Sequence, residues 1–164
     1  MNTIQDFFKL GMKRTIPPLI DPPANSVAIN LGGGNNPFGA KNYQPPEWFA
    51  GQPLSEKDGS VGLIHAYHFF EHLDLHLIIK VLQECYRVLR ADGVLQIVVP
   101  HAMAEGTHQD LSHLTNWTED SFKNLFQNEY YDRGLLPRFI VHSAYVMGVN
   151  WRNMAVFFQL VRGT

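Results

Sequence analysis

The sequence predicts an α/β fold with a mostly parallel sheet, and three observations support this prediction. A short apolar run at 61–66 is typical of a buried strand, and a second run at 94–99 ends at Pro100. Between them, residues 74–89 carry apolar side chains at helical spacing. A strand, a helix and a strand with short connections form a βαβ unit, which implies parallel strands covered on both faces.

Four further predicted elements extend this core. The apolar run at 27–31 indicates another buried strand, which stops at a series of glycines. Thr118 is a predicted cap for a helix whose first turn is acidic. Strands are predicted at 139–147 and 154–161 with turn residues between them, so we expect an antiparallel pair at the C-terminal edge of the sheet.

The chain divides at residue 26. Residues 1–10 carry apolar side chains at helical spacing, which favours one short helix. The proline pairs at 17–18 and 22–23 then forbid regular structure. We therefore predict an N-terminal helix and proline-rich arm over 1–26, and a single domain over 27–164.

The composition is that of a soluble globular protein. Apolar residues make up 45% and charged residues 17%, and the formal charge of −2 provides no strong signal for nucleic acid or anionic lipid. No apolar run is as long as a membrane span, so we expect a cytoplasmic protein, in the host cytoplasm if the gene is viral. The single cysteine, Cys85, excludes an intramolecular disulfide.

A glycine loop, Gly32-Gly33-Gly34 followed by Asn35, stands at the carboxyl end of the first core strand. Open α/β sheets bind ligands at this end, and glycine lets backbone N–H groups approach a ligand closely. A dinucleotide fits poorly, because Pro37 stands where the third glycine of that fingerprint belongs. The acid expected about 20 residues further on is also absent.

A histidine-rich turn follows the strand at 61–66. His68, Glu71 and His72 spell the inverted zincin pattern, for which His101, His108 or His113 would have to supply the third ligand. The turn directly follows a buried strand, the position of a ligand-binding loop in an α/β sheet. We therefore rank a zinc hydrolase third, behind the two functions considered below, and predict no metal site.

Motifs between residues 27 and 126 resemble those of class I S-adenosylmethionine-dependent methyltransferases of the type-11 kind, a Rossmann-like fold. The matching segments are Ile29-Asn30-Leu31-Gly32-Gly33-Gly34, Ala66-Tyr67-His68-Phe69-Phe70-Glu71-His72-Leu73, Glu84-Cys85-Tyr86-Arg87-Val88-Leu89 and Ala91-Asp92-Gly93-Val94. The segment from Gln109 through Trp117 to Phe122 resembles part of small methyltransferases, several of them phage-borne. The resemblance implies S-adenosylmethionine as the cofactor.

The resemblance also implies roles for individual residues. The cofactor site would include Gly32, Gly33, Gly34, Asn35, Leu54, Ala66, Tyr67 and His68, with Leu54 near the adenine. His68, Glu71 and His72 are candidate bases by location, and His101, His113 and Trp117 are candidate contacts of the methyl acceptor. The sequence does not identify that acceptor.

The sequence departs from the family between residues 31 and 61. Only 29 residues separate Leu31 from Val61, whereas a full βαβ unit takes about 30. We therefore predict a sheet shortened in the region of the second and third strands. The acid that holds the ribose in this family has no visible equivalent; Glu47 is the only nearby carboxylate, and Trp48 or Phe49 would then contact the adenine.

These departures leave two further expectations. One alternative to an active enzyme is a catalytically inactive, methyltransferase-like binding or regulatory module. The shortened sheet would also leave a bare edge strand, which favours self-association into a homo-oligomer through that edge.

Overall fold

The computed structural model describes residues 12–14, 26–33, 40–127, 134–148 and 154–163. The strands are β1 (Met12–Arg14), β2 (Val27–Leu31), β3 (Lys41–Tyr43), β4 (Val61–Tyr67), β5 (Leu89–Pro100), β6 (Phe139–Met147) and β7 (Ala155–Arg162). The α-helices are α1 (Leu75–Val88), α2 (Glu105–Gln109) and α3 (Ser121–Gln127), and a 3₁₀ turn spans Phe70–His72.

All seven described strands form one sheet in the order β1-β6-β7-β5-β4-β2-β3. Strands β3, β2, β4 and β5 are parallel neighbours, and β7 runs antiparallel to both β5 and β6. This confirms the predicted mostly parallel α/β sheet with its antiparallel C-terminal pair. Outside that pair, β1 adds a short parallel strand to β6, so Met12–Arg14 joins the sheet.

Some sequence predictions concern residues outside this description. The predicted helix at 1–10 lies entirely outside the described residues. The domain boundary at residue 26 and self-association through a sheet edge stay predictions. The described edge strands are β1 and β3, each of three residues.

The sheet is shortened between β2 and β4, as predicted. The strand β3 has three residues and pairs with β2 from Ile29 opposite Lys41 to Leu31 opposite Tyr43. Residues 32–40 connect the two strands, a length below the dozen or more residues of an ordinary parallel crossover. The described residues 40–60 contain no helix.

The amphipathic face of α1 explains its position. Asp74 caps the helix by accepting a hydrogen bond from the Leu77 amide at 2.9 Å. The buried residues of α1 recur every three or four positions and join the main apolar core; they are Ile78, Val81, Leu82, Cys85 and Val88. This helix has 14 residues, and no described helix is long and apolar enough to cross a membrane.

Two predicted boundaries were wrong. A short connection was expected between the helix at 74–89 and the strand at 94–99, but α1 passes directly into β5, and Asp92 and Gly93 lie inside that strand. The pairing with β4 is irregular there, since Val61 opposes Leu89 whereas Leu63 opposes Val94. The helix α3 begins at Ser121, later than the predicted cap at Thr118, whose amide instead donates to Ser121 Oγ.

The two faces of the sheet differ in polarity. Because side chains alternate along a strand, Ile64 and its neighbours on one face join the core with α1 and α3. On the other face, Asn30 pairs with His65, and His65 pairs with Gln96. These three polar side chains are almost fully buried, so a polar row crosses the middle of the sheet.

Burial of His65 predicts a loss of stability in acid. Burial lowers the pKa of His65 from 6.5 to about 4, so the unfolded chain binds a proton that the folded chain excludes. The free energy of unfolding should therefore fall as the pH drops from about 6.5 to about 4, by about 1–3 kcal/mol from this residue.

We expect H65Q to flatten this pH dependence in denaturant unfolding measured between pH 4 and pH 7.5. The exposed His142 on β6 supplies the control, because H142Q should keep the wild-type slope. Equal slopes for H65Q and the wild type would contradict the assignment.

Candidate functional site

The carboxyl ends of β2, β4 and β5 lie side by side. Leu31 pairs with Ala66, and Tyr67 pairs with Val98, so the segments that follow these strands begin at one edge of the sheet. Ligands bind at this edge in open α/β sheets. The sequence-predicted glycine loop and histidine-rich turn are therefore neighbours.

The glycine loop makes a tight turn at Gly32 and Gly33. Both have positive φ values, 90° and 67°, in a region that glycine occupies without strain. The Gly32 amide donates to the carbonyl of Tyr43 at 2.9 Å. A Cβ atom on Gly32 would lie 3.1 Å from the Phe69 side chain, so the loop packs directly against the turn after β4. Gly34 and Asn35 lie outside the described residues.

Gln44 follows β3 and covers the glycine loop. A Cβ atom on Gly33 would fall 1.3 Å from Gln44 Oε1, so the amide of Gln44 occupies the space above this glycine. In the family that the sequence resembles, the ribose-binding acid ends the second strand. Here that position, at the end of β3, carries an amide that sequence reasoning did not single out.

The aromatic residues after β3 are divided between core and surface. Trp48 is buried and contacts Tyr43 edge-on at 5.6 Å between ring centroids, with Phe69 at 6.1 Å. Phe49 is 53% exposed, and Glu47 is also exposed. Trp48 thus lies in the wall beside the glycine loop, whereas Phe49 and Glu47 lie at the surface.

Leu54 was expected near the adenine, but the structure places it elsewhere. Its amide donates to Glu84 Oε2 at 2.9 Å, and its carbonyl accepts from Arg87 at 2.9 Å. Glu84 lies nine residues beyond Leu75, or about 14 Å along α1, toward the start of β5. Leu54 therefore packs in the core toward the opposite end of the sheet from the glycine loop.

The turn after β4 is a strained segment. His68 is the only described residue other than glycine with positive φ, 52°, and its amide donates to the Val98 carbonyl at 2.8 Å. Strained backbone of this kind clusters at binding and catalytic sites. The side chains of Ala66 and Tyr67 are buried in the two apolar clusters on opposite faces of the sheet, so they support the turn from below.

Glu71 connects this turn to a second loop. Its carboxylate is 1% exposed, with Oε1 at 3.2 Å from His68 Nδ1, and this hydrogen bond raises the pKa of His68. Its main-chain carbonyl accepts from the amides of Leu114 and Thr115 at 2.7 and 3.2 Å. Two of the segments that carry the resemblance, the histidine-rich turn and the segment from Gln109 to Phe122, are thus joined in space.

The inverted zincin spacing does not form its usual helix. The segment is a 3₁₀ turn over Phe70–His72, so His68 and His72 do not share the face of an α-helix. Instead His72 lies against His113, with ring centroids 4.9 Å apart. Of the three candidate third ligands, the structure brings His113 to Glu71 and His72.

A cavity of about 450 Å³ opens beside His68. Its walls come from the ends of β4 and β5, the loop that contains α2, and the C-terminal strands; they include His68, Val98, Asp110, His113, Met147 and Met154. Among the predicted acceptor contacts, only His113 lines this cavity. The contribution of the C-terminal strands was missed, because alternation along a strand does not show which end faces a ligand.

His101 and Trp117 support the cavity rather than line it. They form a bridge between neighbouring backbones, and both are buried. The Trp117 ring packs against Phe70 and Phe122 in the core. Burial lowers the pKa of His101, and its Nδ1 accepts a hydrogen bond from the Met103 amide at 3.0 Å.

Comparison with known proteins shows a likeness to methyltransferases. Residues 24–97 match the model of a family described as a methyltransferase domain. The chain has the class I methyltransferase fold. No curated protein sequence matches the chain at a significant level.

Solved structures of methyltransferases share this fold at low sequence identity. One described as a possible histamine N-methyltransferase of Thermotoga maritima has a TM-score of 0.58 and 14% identity, covering 88% of this chain and 83% of that one. An Archaeoglobus fulgidus methyltransferase, described as dependent on S-adenosylmethionine (SAM), has a TM-score of 0.57 and 12% identity, with 85% and 87% covered.

A third likeness comes from a complex. A chain of the Haloferax volcanii complex between the Trm112 methyltransferase activator and a protein assigned as a methyltransferase has a TM-score of 0.59 and 11% identity, with 85% and 84% covered. These likenesses confirm the predicted Rossmann-like methyltransferase fold. A phage origin stays a prediction.

The packing of the glycine loop against Phe69 predicts that substitution of Gly32 costs more stability than substitution of an open glycine. G32A combines a strained φ with a contact of 3.1 Å, whereas G134A, with φ of 70°, meets no atom within 4 Å. We expect both variants to lose stability, and G32A to lose about 1 kcal/mol more. Urea unfolding measures this difference, and equal losses would contradict the packing.

Proposed function

We propose that this chain transfers the methyl group of S-adenosylmethionine to an acceptor held in the 450 Å³ cavity. One observation carries the proposal: the turn after β4 is a wall shared by two sites. Phe69 packs on Gly32 of the glycine loop, and the adjacent His68 lines the cavity. A cofactor on one side of this turn and an acceptor on the other would meet at His68.

This arrangement suits methyl transfer. In this reaction the bond between sulfonium sulfur and methyl carbon breaks as the acceptor atom forms its bond to that carbon, and the acceptor loses a proton where it carries one. Catalysis then depends mostly on holding the two reactants in line. A turn that contacts both sites, with a fixed and strained backbone, provides such positioning.

Three side chains at the turn were predicted as bases, and their positions separate their proposed roles. His68 lines the cavity and its side chain is 62% exposed, so we assign it the contact with the acceptor. Glu71 is buried and acts through His68 as a positioning residue. His72 is directed toward the loop at Ser112, where its Nδ1 lies 3.0 Å from Ser112 Oγ.

The cofactor side would be held largely by backbone. The described loop offers Gly32 and Gly33 in conformations that expose main-chain groups. Gln44, at the end of β3, is the side chain nearest to Gly33. We propose that its amide donates hydrogen bonds to the ribose hydroxyls and accepts hydrogen bonds from them, in place of the carboxylate that is absent here.

A second candidate function is a binding module without catalysis. The three-residue β3 and the amide in place of an acid both favour it, because they weaken the part of the fold that holds the nucleoside. Both candidates bind S-adenosylhomocysteine, but only the enzyme releases labelled methyl groups to an acceptor from cell extract.

Binding of S-adenosylhomocysteine tests the shared part of the proposal. We expect calorimetric titration to show binding by the wild type, and Q44A to weaken it about tenfold, the equivalent of one or two lost hydrogen bonds. Q44E restores a carboxylate and should bind at least as tightly as the wild type.

The exposed Gln127 provides the matched control, since Q127A should leave the affinity unchanged. Absence of wild-type binding at millimolar ligand would overturn the proposed function. Equal affinities for Q44A and the wild type would overturn the role of Gln44 alone.

A further inference from the structure

Three side chains beside the cavity bring metal-ligating atoms together. Glu71, His72 and His113 each offer one donor atom, and these atoms all lie within 4.8 Å of one another. We propose that these three residues bind a divalent transition-metal ion, with Zn²⁺ as the best match. The proposal goes beyond methyl transfer and rests on the donor set itself.

The buried carboxylate is the first observation that indicates a cation. Glu71 is 1% exposed, and its Oε2 has no hydrogen-bond partner. Burial of an unpaired carboxylate oxygen is costly, and buried charges in proteins are paired or coordinate metals. Since His68 Nδ1 contacts Oε1, the second oxygen is the one available to a metal ion.

The hydrogen bonds of the two imidazoles are the second observation. His113 Nδ1 lies 3.1 Å from the Thr107 carbonyl, and His72 Nδ1 lies 3.3 Å from the Ser112 carbonyl. His72 Nδ1 is also 3.0 Å from Ser112 Oγ, but this hydroxyl donates its hydrogen to Asp110 Oδ1 at 2.6 Å, so it accepts from His72. A carbonyl only accepts, so each Nδ1 is the protonated nitrogen and each Nε2 carries the free lone pair. Histidines that bind metals are typically oriented in this way, by an N–H donated to a carbonyl.

The spacing is compatible with direct ligation. Zinc ligands at about 2.0–2.1 Å stand roughly 3.3 Å apart in a tetrahedron. The three donor atoms lie within 4.8 Å of one another, and His72 Nε2 is 4.0 Å from Glu71 Oε1, so a rotation of the carboxylate that turns Oε2 toward the imidazoles would close the set. Asp110 Oδ2, at 3.6 Å from His113 Nε2, adds a nearby negative charge.

The donor set indicates the class of metal. Two imidazoles and one carboxylate suit zinc and its transition-metal neighbours, whereas magnesium prefers oxygen ligands alone. Three protein ligands leave a coordination position open, and His113 lines the cavity. If the proposed function holds, an oxygen or nitrogen atom of the acceptor would occupy that position.

The arrangement differs from the zinc hydrolase considered from the sequence. There His68 and His72 would be ligands and Glu71 a base, on one helix. Here Glu71 is a ligand, His113 replaces His68, and the two loops after β4 and β5 are joined by the metal ion.

Zinc binding by the full chain tests the proposal. The purified protein is stripped with a chelator and dialysed against ZnCl₂, and elemental analysis and thermal unfolding are measured. We expect about one zinc ion per chain and a raised Tm. Both E71Q and H113Q should weaken binding by about 100-fold or more, since loss of supporting contacts alone costs 10- to 100-fold.

H142Q is the matched control, because His142 is exposed on β6 and should leave zinc binding unchanged. Unfolding curves without metal show whether each variant folds, and H113Q keeps the test valid where E71Q does not fold. The proposal is overturned if the wild type binds no zinc, if both variants bind like the wild type, or if H142Q loses as much.

Titration with S-adenosylhomocysteine in the metal-free protein separates this proposal from the proposed function. Cofactor binding without zinc binding overturns the metal site alone. Zinc binding by the wild type, lost in H113Q and kept in H142Q, supports the metal site even where no cofactor binds.

Discussion

The parallel pairing of β4 between β2 and β5 is the constraint on which the candidate site depends. Leu31 stands opposite Ala66, and Tyr67 stands opposite Val98. The loops that follow β2, β4 and β5 therefore begin side by side at one edge of the sheet. A slip of one residue would exchange the two faces of β4 and place His65 in the apolar core. Burial on both faces therefore fixes the register, and the register fixes the site.

The shortened sheet changes how the two halves of the site are built. Between β2 and β4 the structure has a three-residue strand and a short connection. Among the described residues, Phe69 packs on Gly32 and Gln44 packs on Gly33. The other half is rich in side chains, because the turn after β4 and the loop after β5 are linked through Glu71. The glycine loop is thus shaped mainly by its backbone conformation, whereas the region around Glu71 is rich in titratable side chains.

The sequence predicted elements well where the period of apolar residues is strong. The strands at 27–31 and 139–147 have the predicted bounds, and α1 differs by one residue at each end. The three-residue strand at 41–43 carries no such period and was missed. In the candidate site, the glycine run and the histidine-rich turn follow the ends of neighbouring strands, as their positions after apolar runs predicted. Leu54 was misplaced, because resemblance to a longer family gives no position to a residue inside the shortened segment.

The position of Glu71 explains how the turn after β4 and the loop after β5 are joined beside the cavity. A buried carboxylate is tolerated only where its surroundings compensate for the loss of water. Its main-chain carbonyl holds the amides of Leu114 and Thr115, and its side chain holds His68 in a strained conformation. Replacement of this side chain therefore removes a buried carboxylate, a contact with His68 and a proposed metal ligand at once. Variants at His113 are more informative about the proposed metal site, because His113 belongs to the cluster but makes no described contact with His68.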